Sequence, residues 1–179
     1  MIYIVIALKP EVQAFVDFYK LKKEKLLHYT IFKNSSIIII LSGVGVDNAR
    51  FATQTLINQF DITDDDIYMN IGICGADENY AIGTLLEIGE ISYKELLYSF
   101  KEDKKKIVSL DAEATTNLHD IVDMESYGFY DAVIHNPAIK KFYIFKVVSD
   151  HFEPHLVTKE KTKSLIFNAI NTINTIIHH

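Results

Sequence analysis

Phe142–Asp150 reads FYIFKVVSD, and the interpretation of this stretch decides the fold. Aromatic and β-branched residues dominate it, with Asn136-Pro137 before it and Pro154 after it, the pattern of a buried strand. Its last residue is a carboxylate. In an open α/β sheet, ligands sit in the crevice beyond the carboxyl ends of the strands, so Asp150 is placed to give or take a proton. An Asp also caps the following turn through its own side chain, and position alone favours that cap over the acid.

Just upstream, Ile121-Val122-Asp123-Met124 is an extended piece, and Glu125 opens a helix running to about Ile134. Downstream, Leu165, Ala169, Ile173 and Ile176 mark one face of a helix from about Thr158. His178-His179 at its end are read as part of an expression tag and carry no fold argument.

At the other end of the chain, Ile2–Ala7 is a continuous apolar run, the signature of a central strand. Pro10 suits the first turn of the next helix, where a missing N–H costs nothing, and Val12, Phe15, Val16 and Tyr19 follow at helical spacing. Glu11 then complements that helix's N-terminal dipole. Leu26–Phe32 and Ile37–Leu41 read as two strands joined by a turn at Asn34-Ser35-Ser36. Ser42-Gly43-Val44-Gly45 is a glycine-rich strand-to-helix turn. It leads into a helix over Val46–Phe60 with Ala49, Ala52, Leu56 and Phe60 on one stripe. It has neither the glycine spacing of a dinucleotide fingerprint nor a P-loop lysine.

After the acidic turn Asp61–Asp66, Ile67–Ile71 is a strand and Gly72-Ile73-Cys74-Gly75-Ala76 a second glycine-rich turn. Two such turns suggest a floor built of backbone. Leu85–Tyr93 is a strand with a bulge expected at Gly89. Leu96–Lys106 is polar and unassigned, and Ile107-Val108-Ser109 is a short strand leading to Asp111. Strands alternating with helices predict an α/β fold, and the hairpin argues against a purely parallel sheet. The expectation is a three-layer α/β/α arrangement with a central mixed sheet, in one domain over residues 1–179.

Hydrophobic residues make up 49% and charged residues 23%, the profile of an ordinary globular chain. The net charge of −6 argues against a nucleic-acid partner, which needs basic patches. Lys104-Lys105-Lys106 follows Glu102-Asp103 and reads as a solvated loop. The one cysteine, Cys74, permits no intramolecular disulfide and fits a reducing cytoplasm. The apolar start is too short for a signal peptide or a membrane span. A soluble cytoplasmic protein is therefore expected.

Three carboxylates, Glu11, Glu125 and Asp150, thus sit at strand-to-helix junctions. Taken with SGVG (Ser42–Gly45), NIGICGA (Asn70–Ala76), IGEI (Ile88–Ile91), IVSLDA (Ile107–Ala112), VDMES (Val122–Ser126) and VVSD (Val147–Asp150), their order resembles the purine nucleoside phosphorylase/nucleosidase superfamily. Within it the chain is similar to the methylthioadenosine/S-adenosylhomocysteine nucleosidases and futalosine hydrolases. VDMES followed by VVSD is the most specific part.

The resemblance implies a phosphorylase/hydrolase-like fold, cleavage of an N-glycosidic bond in a small-molecule nucleoside, no cofactor and no metal, and a homodimer. Asp150 matches the acid that protonates the leaving base, a role that needs a carboxyl retaining its proton near neutral pH. Glu11 matches the carboxylate that activates the attacking water. Glu125 matches the residue that holds the ribose hydroxyls and stabilises the cationic sugar. Met124 would pack against the ribose, and Ser149 would orient Asp150. Ile73, Cys74 and Gly75 belong to the substrate-binding set. Ser109 and Asp111 either shape the base pocket or end a strand.

The chain departs from that pattern at named places. It is shorter than ordinary members, with the deficit between Ile91 and Ile107. Glu113, then Ala114, stand where the nucleosidases stack an aromatic ring on the purine. Ile73 stands where the methylthioadenosine enzymes carry serine, closer to the futalosine-hydrolase pattern. The single arginine, Arg50, falls inside a helix, which disfavours a phosphate cradle and leaves water as the nucleophile. The alternatives are a non-catalytic relative that binds a nucleoside or base, and a phosphorylase with an unusual anion site. Elsewhere, Cys74 reads as a packed small residue rather than a nucleophile. His151 and His155 read as surface groups rather than metal ligands. Asp123 reads as structural, because strand alternation turns it away from Met124.

Overall fold

The computed structural model describes residues 1–178; His179, the second histidine of the terminal pair, lies outside them. A ten-stranded mixed sheet forms the middle layer. At its centre β1 (Ile2–Ile6) runs parallel to β4 (Ile37–Leu41) on one side and to β5 (Ile67–Ala76) on the other. β5 is also parallel to β10 (Lys141–Asp150), the strand read from FYIFKVVSD. β6 (Leu85–Tyr93) joins β10 antiparallel, β8 (Lys105–Ser109) joins β6, and β9 (Ile121–Asp123) joins β8. β9 then pairs antiparallel with the end of β5. Strands β5, β10, β6, β8 and β9 therefore close into a ring of hydrogen-bonded neighbours. This ring presses the ends of β5, β9 and β10 together beside the carboxyl end of β1.

Helices cover both faces. α1 (Lys9–Tyr19) and α4 (Lys159–Ile177) pack together on one, with Val12, Phe15, Ile166 and Ile170 against Ile6, Phe145 and Val147. α2 (Val46–Gln59) and α3 (Ser126–Ile134) pack together on the other, with Leu56, Phe129 and Val133 in the same core as Val5, Tyr68 and Val148. β10 is buried on both faces, which is why it reads as a nearly continuous apolar run. The layered arrangement expected from the alternation of elements is the one observed.

Four local expectations change. The strand expected over Leu26–Phe32 is two strands, β2 (Lys22–Leu26) and β3 (Tyr29–Lys33). The turn between them contains Leu27 in the left-handed region, φ 54°. No glycine or asparagine announces that turn, and the exposed edge strand KKEKL carries no apolar alternation. The second glycine-rich turn is no turn: Gly72–Ala76 continues β5 to ten residues. The unassigned polar segment contributes β7 (Leu96–Ser99), a hairpin partner of β6. The inward stripe of α4 centres on Ile166, Ala169, Ile170, Ile173 and Ile177, with Leu165 and Ile176 at its margins. The bulge at Gly89 is present as a register shift between Ile88 and Glu90 against β8.

The crossing of α2 and α3 depends on Gly128. A Cβ there would lie 1.9 Å from the Val46 carbonyl oxygen, and backbone cannot yield as a side-chain tip can. Gly128→Ala is expected to cost about 2–3 kcal/mol of stability, read from the urea midpoint.

Candidate active site

The carboxyl ends of β1, β4, β5 and β10 all point to one edge, where a cavity of about 350 Å³ opens. Each acidic side chain reaches it by a local rule. Glu11 is the third residue of α1, and its Oε2 accepts from the Leu8 N–H at 2.8 Å, so it caps its own helix. Its Oε1 accepts from the Ile73 N–H of β5 at 2.9 Å. Glu125 precedes α3, and its Oε1 accepts from the Gly45 N–H at 3.0 Å, which ties the SGVG turn to VDMES. Asp150 ends β10. Its Oδ1 accepts from the Glu153 N–H at 2.9 Å and its Oδ2 from the Ser149 hydroxyl at 2.6 Å. The turn cap and the cavity position expected as alternatives are thus both realised by one side chain.

Glu11, Glu125 and Asp150 are all buried and all line the cavity. Met124, Ile73, Cys74, Gly75 and Ser149 line it as well. Ser109 and Asp111 do not, so of the two readings given for them, shaping the base pocket or ending a strand, the first does not hold for their side chains and Ser109 takes the second. Ser109, at the end of β8, is buried and donates to Asp123 Oδ1 at 2.8 Å while accepting from the Tyr127 N–H. Asp111 turns outward and accepts from the Tyr93 hydroxyl at 2.9 Å. The loop that carries Asp111 still supplies Leu110, Ala112, Glu113 and Ala114 to the cavity wall.

Sequence reasoning passed over Lys146. It is fully buried in β10, on the face occupied by Ile144 and Val148, and its Nζ lies 2.8 Å from Asp123 Oδ2. That contact is a close ion pair without hydrogen-bond alignment, and Nζ meets no aligned acceptor among the described residues. Gly72 is directly opposite in the register. A Cβ on Gly72 would sit 3.2 Å from Glu11 Oε1 and 3.5 Å from Lys146 Nζ. A side chain there would press on the Glu11 carboxylate and touch the ammonium. The signal was available: a lysine in the middle of an otherwise apolar buried strand, four residues before Asp150.

Asp123, read from sequence as structural, pairs with this ammonium and is itself held by the Ser109 hydroxyl at Oδ1 and by the Ser126 hydroxyl and backbone N–H at Oδ2. Burial pushes the Asp123 carboxyl up, but Lys146 and these hydrogen bonds more than offset it and hold it below the usual range. Burial pushes the Lys146 ammonium down, and Asp123 and Glu125 more than restore it. Glu11 differs. Burial and the neighbouring Glu125 outweigh its two backbone hydrogen bonds and Lys146, and its pKa is pushed up to about 7. Burial raises Glu125 in the same way. A carboxyl poised near neutrality beside a fixed ammonium can take a proton from water.

Cys74 is a packed small residue. Burial pushes the Cys74 thiol up, which leaves little thiolate to act as a nucleophile. His151 Nδ1 lies 2.9 Å from the Ala76 carbonyl oxygen. Among the described residues no cluster of three or more His, Cys, Asp or Glu is arranged to hold a metal ion.

No model of a known protein family matches the sequence, and no curated protein matches it. Solved structures do match. A methylthioadenosine/S-adenosylhomocysteine nucleosidase from Colwellia psychrerythraea, in complex with adenine, superposes with a TM-score of 0.75 at 18% identity over 95% of this chain and 94% of its own. The futalosine hydrolase of Helicobacter pylori superposes with a TM-score of 0.82 at 13% identity, over 99% and 97%. The chain therefore has the same fold as these two enzymes. A nucleosidase of the first kind from Neisseria meningitidis, in complex with methylthio-immucillin-A, shares this nucleosidase fold with a TM-score of 0.79 at 16% identity, over 98% and 97%. Identities this low establish the shared architecture, while the chemistry rests on the side chains described above.

Proposed function

We propose that the protein is a nucleosidase that hydrolyses the N-glycosidic bond of a purine-type nucleoside, giving free base and a ribose derivative. Methylthioadenosine, S-adenosylhomocysteine and a futalosine-like nucleoside are the candidate substrates. The observation that carries the reading is the convergence of Glu11, Glu125 and Asp150 on one cavity large enough for a sugar. The adenine and methylthio-immucillin-A complexes of the structural neighbours are consistent with it.

In this mechanism the bond from the anomeric carbon to the base nitrogen breaks as Asp150 delivers its proton to the departing base. Ser149 keeps Asp150 turned toward the cavity. Glu125 holds the ribose hydroxyls, and its negative charge stabilises the oxocarbenium-like sugar. Met124 packs on the ribose. Water attacks the anomeric carbon and gives a proton to Glu11. Lys146 positions Glu11 and keeps the surrounding carboxylates from repelling one another.

Water is favoured over phosphate as nucleophile because Arg50 is spent elsewhere. It pairs with Asp131 at 2.7 Å and with Asp47 at 2.5 Å on the α2–α3 surface. The non-catalytic alternative is disfavoured because the Leu110–Ala114 loop gives the cavity a wall for a base. The test is a panel of methylthioadenosine, S-adenosylhomocysteine, futalosine, adenosine and inosine, with and without phosphate, monitored for free base. Release that requires phosphate makes the protein a phosphorylase. No release from any of them favours the binding role.

Because Glu11 must be ionised to accept the proton, kcat/KM is expected to rise with pH through about 7. A profile flat between about pH 6 and 8 removes Glu11 as the base. Stability runs the other way. A carboxyl raised in the fold contributes fully below its unfolded value near 4.5, and that contribution is lost as pH climbs to about 7. Glu11→Gln is expected to shrink that decline in a melting series against pH, leaving the part that comes from the raised Glu125.

The reading extends to assembly and compartment: a homodimer in the cytoplasm. No helix among the described residues is long and apolar enough to cross a membrane. Val44 and Phe51 near the start of α2, and Leu96 and Leu97 on β7, are exposed apolar side chains suited to a subunit contact. Sedimentation at twice the chain mass is expected, and Phe51→Glu should shift it to the monomer.

A further inference from the structure

The chain is 12% aromatic, yet among the described residues no Phe, Tyr or Trp lines the cavity. A base bound there has no ring to stack on. The wall that stands in for one is the loop from β8 to β9. It contributes three apolar residues, Leu110, Ala112 and Ala114, and one carboxylate, Glu113. A carboxylate accepts hydrogen bonds and, when ionised, donates none.

We infer that Glu113 selects the leaving base by its edge, favouring bases that present N–H donors, and that the Tyr93–Asp111 hydrogen bond positions Glu113 to do so. The inference rests on the nucleosidase reading of the cavity and adds its means of recognition.

The loop is fastened by backbone at its two ends. The Leu110 N–H donates to the Asp123 carbonyl at 2.7 Å, and the Asp77 N–H donates to the Asp120 carbonyl at 2.8 Å. Between them the side-chain tether is Asp111. Its Oδ1 accepts from the Tyr93 hydroxyl at 2.9 Å, and its Oδ2 lies 3.8 Å from Lys94 Nζ. The Tyr93 ring is itself held, stacked on Tyr127 at 4.3 Å between centroids. Tyr127 sits two residues after Glu125 and donates its backbone N–H to Ser109. The outer wall is therefore registered against the same segment that carries the proposed ribose-binding carboxylate. Asp111 acts through the loop as a positioning residue, and Glu113 meets the base.

Titration calorimetry of the whole protein with free adenine, hypoxanthine and unsubstituted purine tests this without requiring turnover. Adenine and hypoxanthine each carry an N–H donor on the six-membered-ring edge, where unsubstituted purine has acceptors only. Wild type is expected to bind the first two at least about tenfold more tightly than purine. Glu113→Gln, whose amide both donates and accepts, is expected to narrow that gap to about threefold or less. Tyr93→Phe keeps the ring stack and loses only the hydroxyl. It is expected to weaken adenine binding about three- to tenfold with the unfolding midpoint unchanged. Equal binding of the three bases, binding of none, or an unchanged ratio in Glu113→Gln overturns the selection. Unaltered adenine affinity in Tyr93→Phe overturns the tether. Selective base binding by a protein that releases no base from any nucleoside overturns the proposed reaction and leaves this inference standing.

Discussion

Asp150→Asn is expected to lower the rate of base release by about 10³-fold, with the fold intact. The amide has the shape of the carboxyl but no proton to give. Its oxygen can keep the Glu153 N–H bond that caps the turn. The Ser149 hydroxyl already lies 3.1 Å from the Cys74 carbonyl oxygen and can donate there while accepting from the new NH₂ group. Nothing in the local packing has to move, so the melting temperature should stay within a few degrees of wild type. Steady-state release of free base, alongside a thermal melt, checks both halves. Full activity in the variant removes Asp150 from the mechanism, whereas lost activity with an early melt reports only unfolding.

The largest stability effect belongs to Lys146→Met. The substitution preserves volume and removes the ammonium that compensates Asp123, Glu125 and Glu11, all of them buried. Leaving a buried charge without its partner costs about 3–5 kcal/mol. The pH dependence carries the sign. In wild type the raised Lys146 contributes stability that is lost only as pH rises through its folded value, above the ordinary lysine range. The lowered Asp123 contributes stability that is lost only as pH falls through its folded value, below the ordinary aspartate range. The pair's contribution is therefore level across the neutral range. Without Lys146 the carboxyls bind protons more tightly in the fold than in the unfolded chain, so the variant should lose stability as pH rises from about 4. Urea unfolding at several pH values tests this. Adding Asp123→Asn should recover part of the loss, because a neutral amide carries no uncompensated charge. A variant as stable as wild type at pH 8 would show that the ion pair does not hold this site together.

Much of the architecture was legible because the relevant signals are local. The apolar runs at Ile2–Ala7 and Phe142–Asp150, the helical stripe of α2, the existence of α4 and the turn at Ser42–Gly45 each follow from periodicity or turn chemistry over a few residues. The failures have a physical cause too. β2 is an exposed edge strand of mostly charged residues, so no hydrophobic pattern marks it. Gly72 and Gly75 looked like turn residues. They lie instead where a Cβ would meet Glu11 at 3.2 Å and Val122 at 3.3 Å, side chains supplied by other elements.

By itself, the sequence determined a layered α/β sheet and the placement of Glu11, Glu125 and Asp150 at strand-to-helix junctions, since both depend on neighbours along the chain. Only the tertiary structure decided that Lys146 lies beneath the carboxylates, that Asp111 faces away from the cavity, and that Glu113 stands on its wall. Those outcomes depend on the register of β10 against β5 and on the ring that brings β9 to the end of β5. Both are pairings between segments remote in sequence, and no local pattern encodes them.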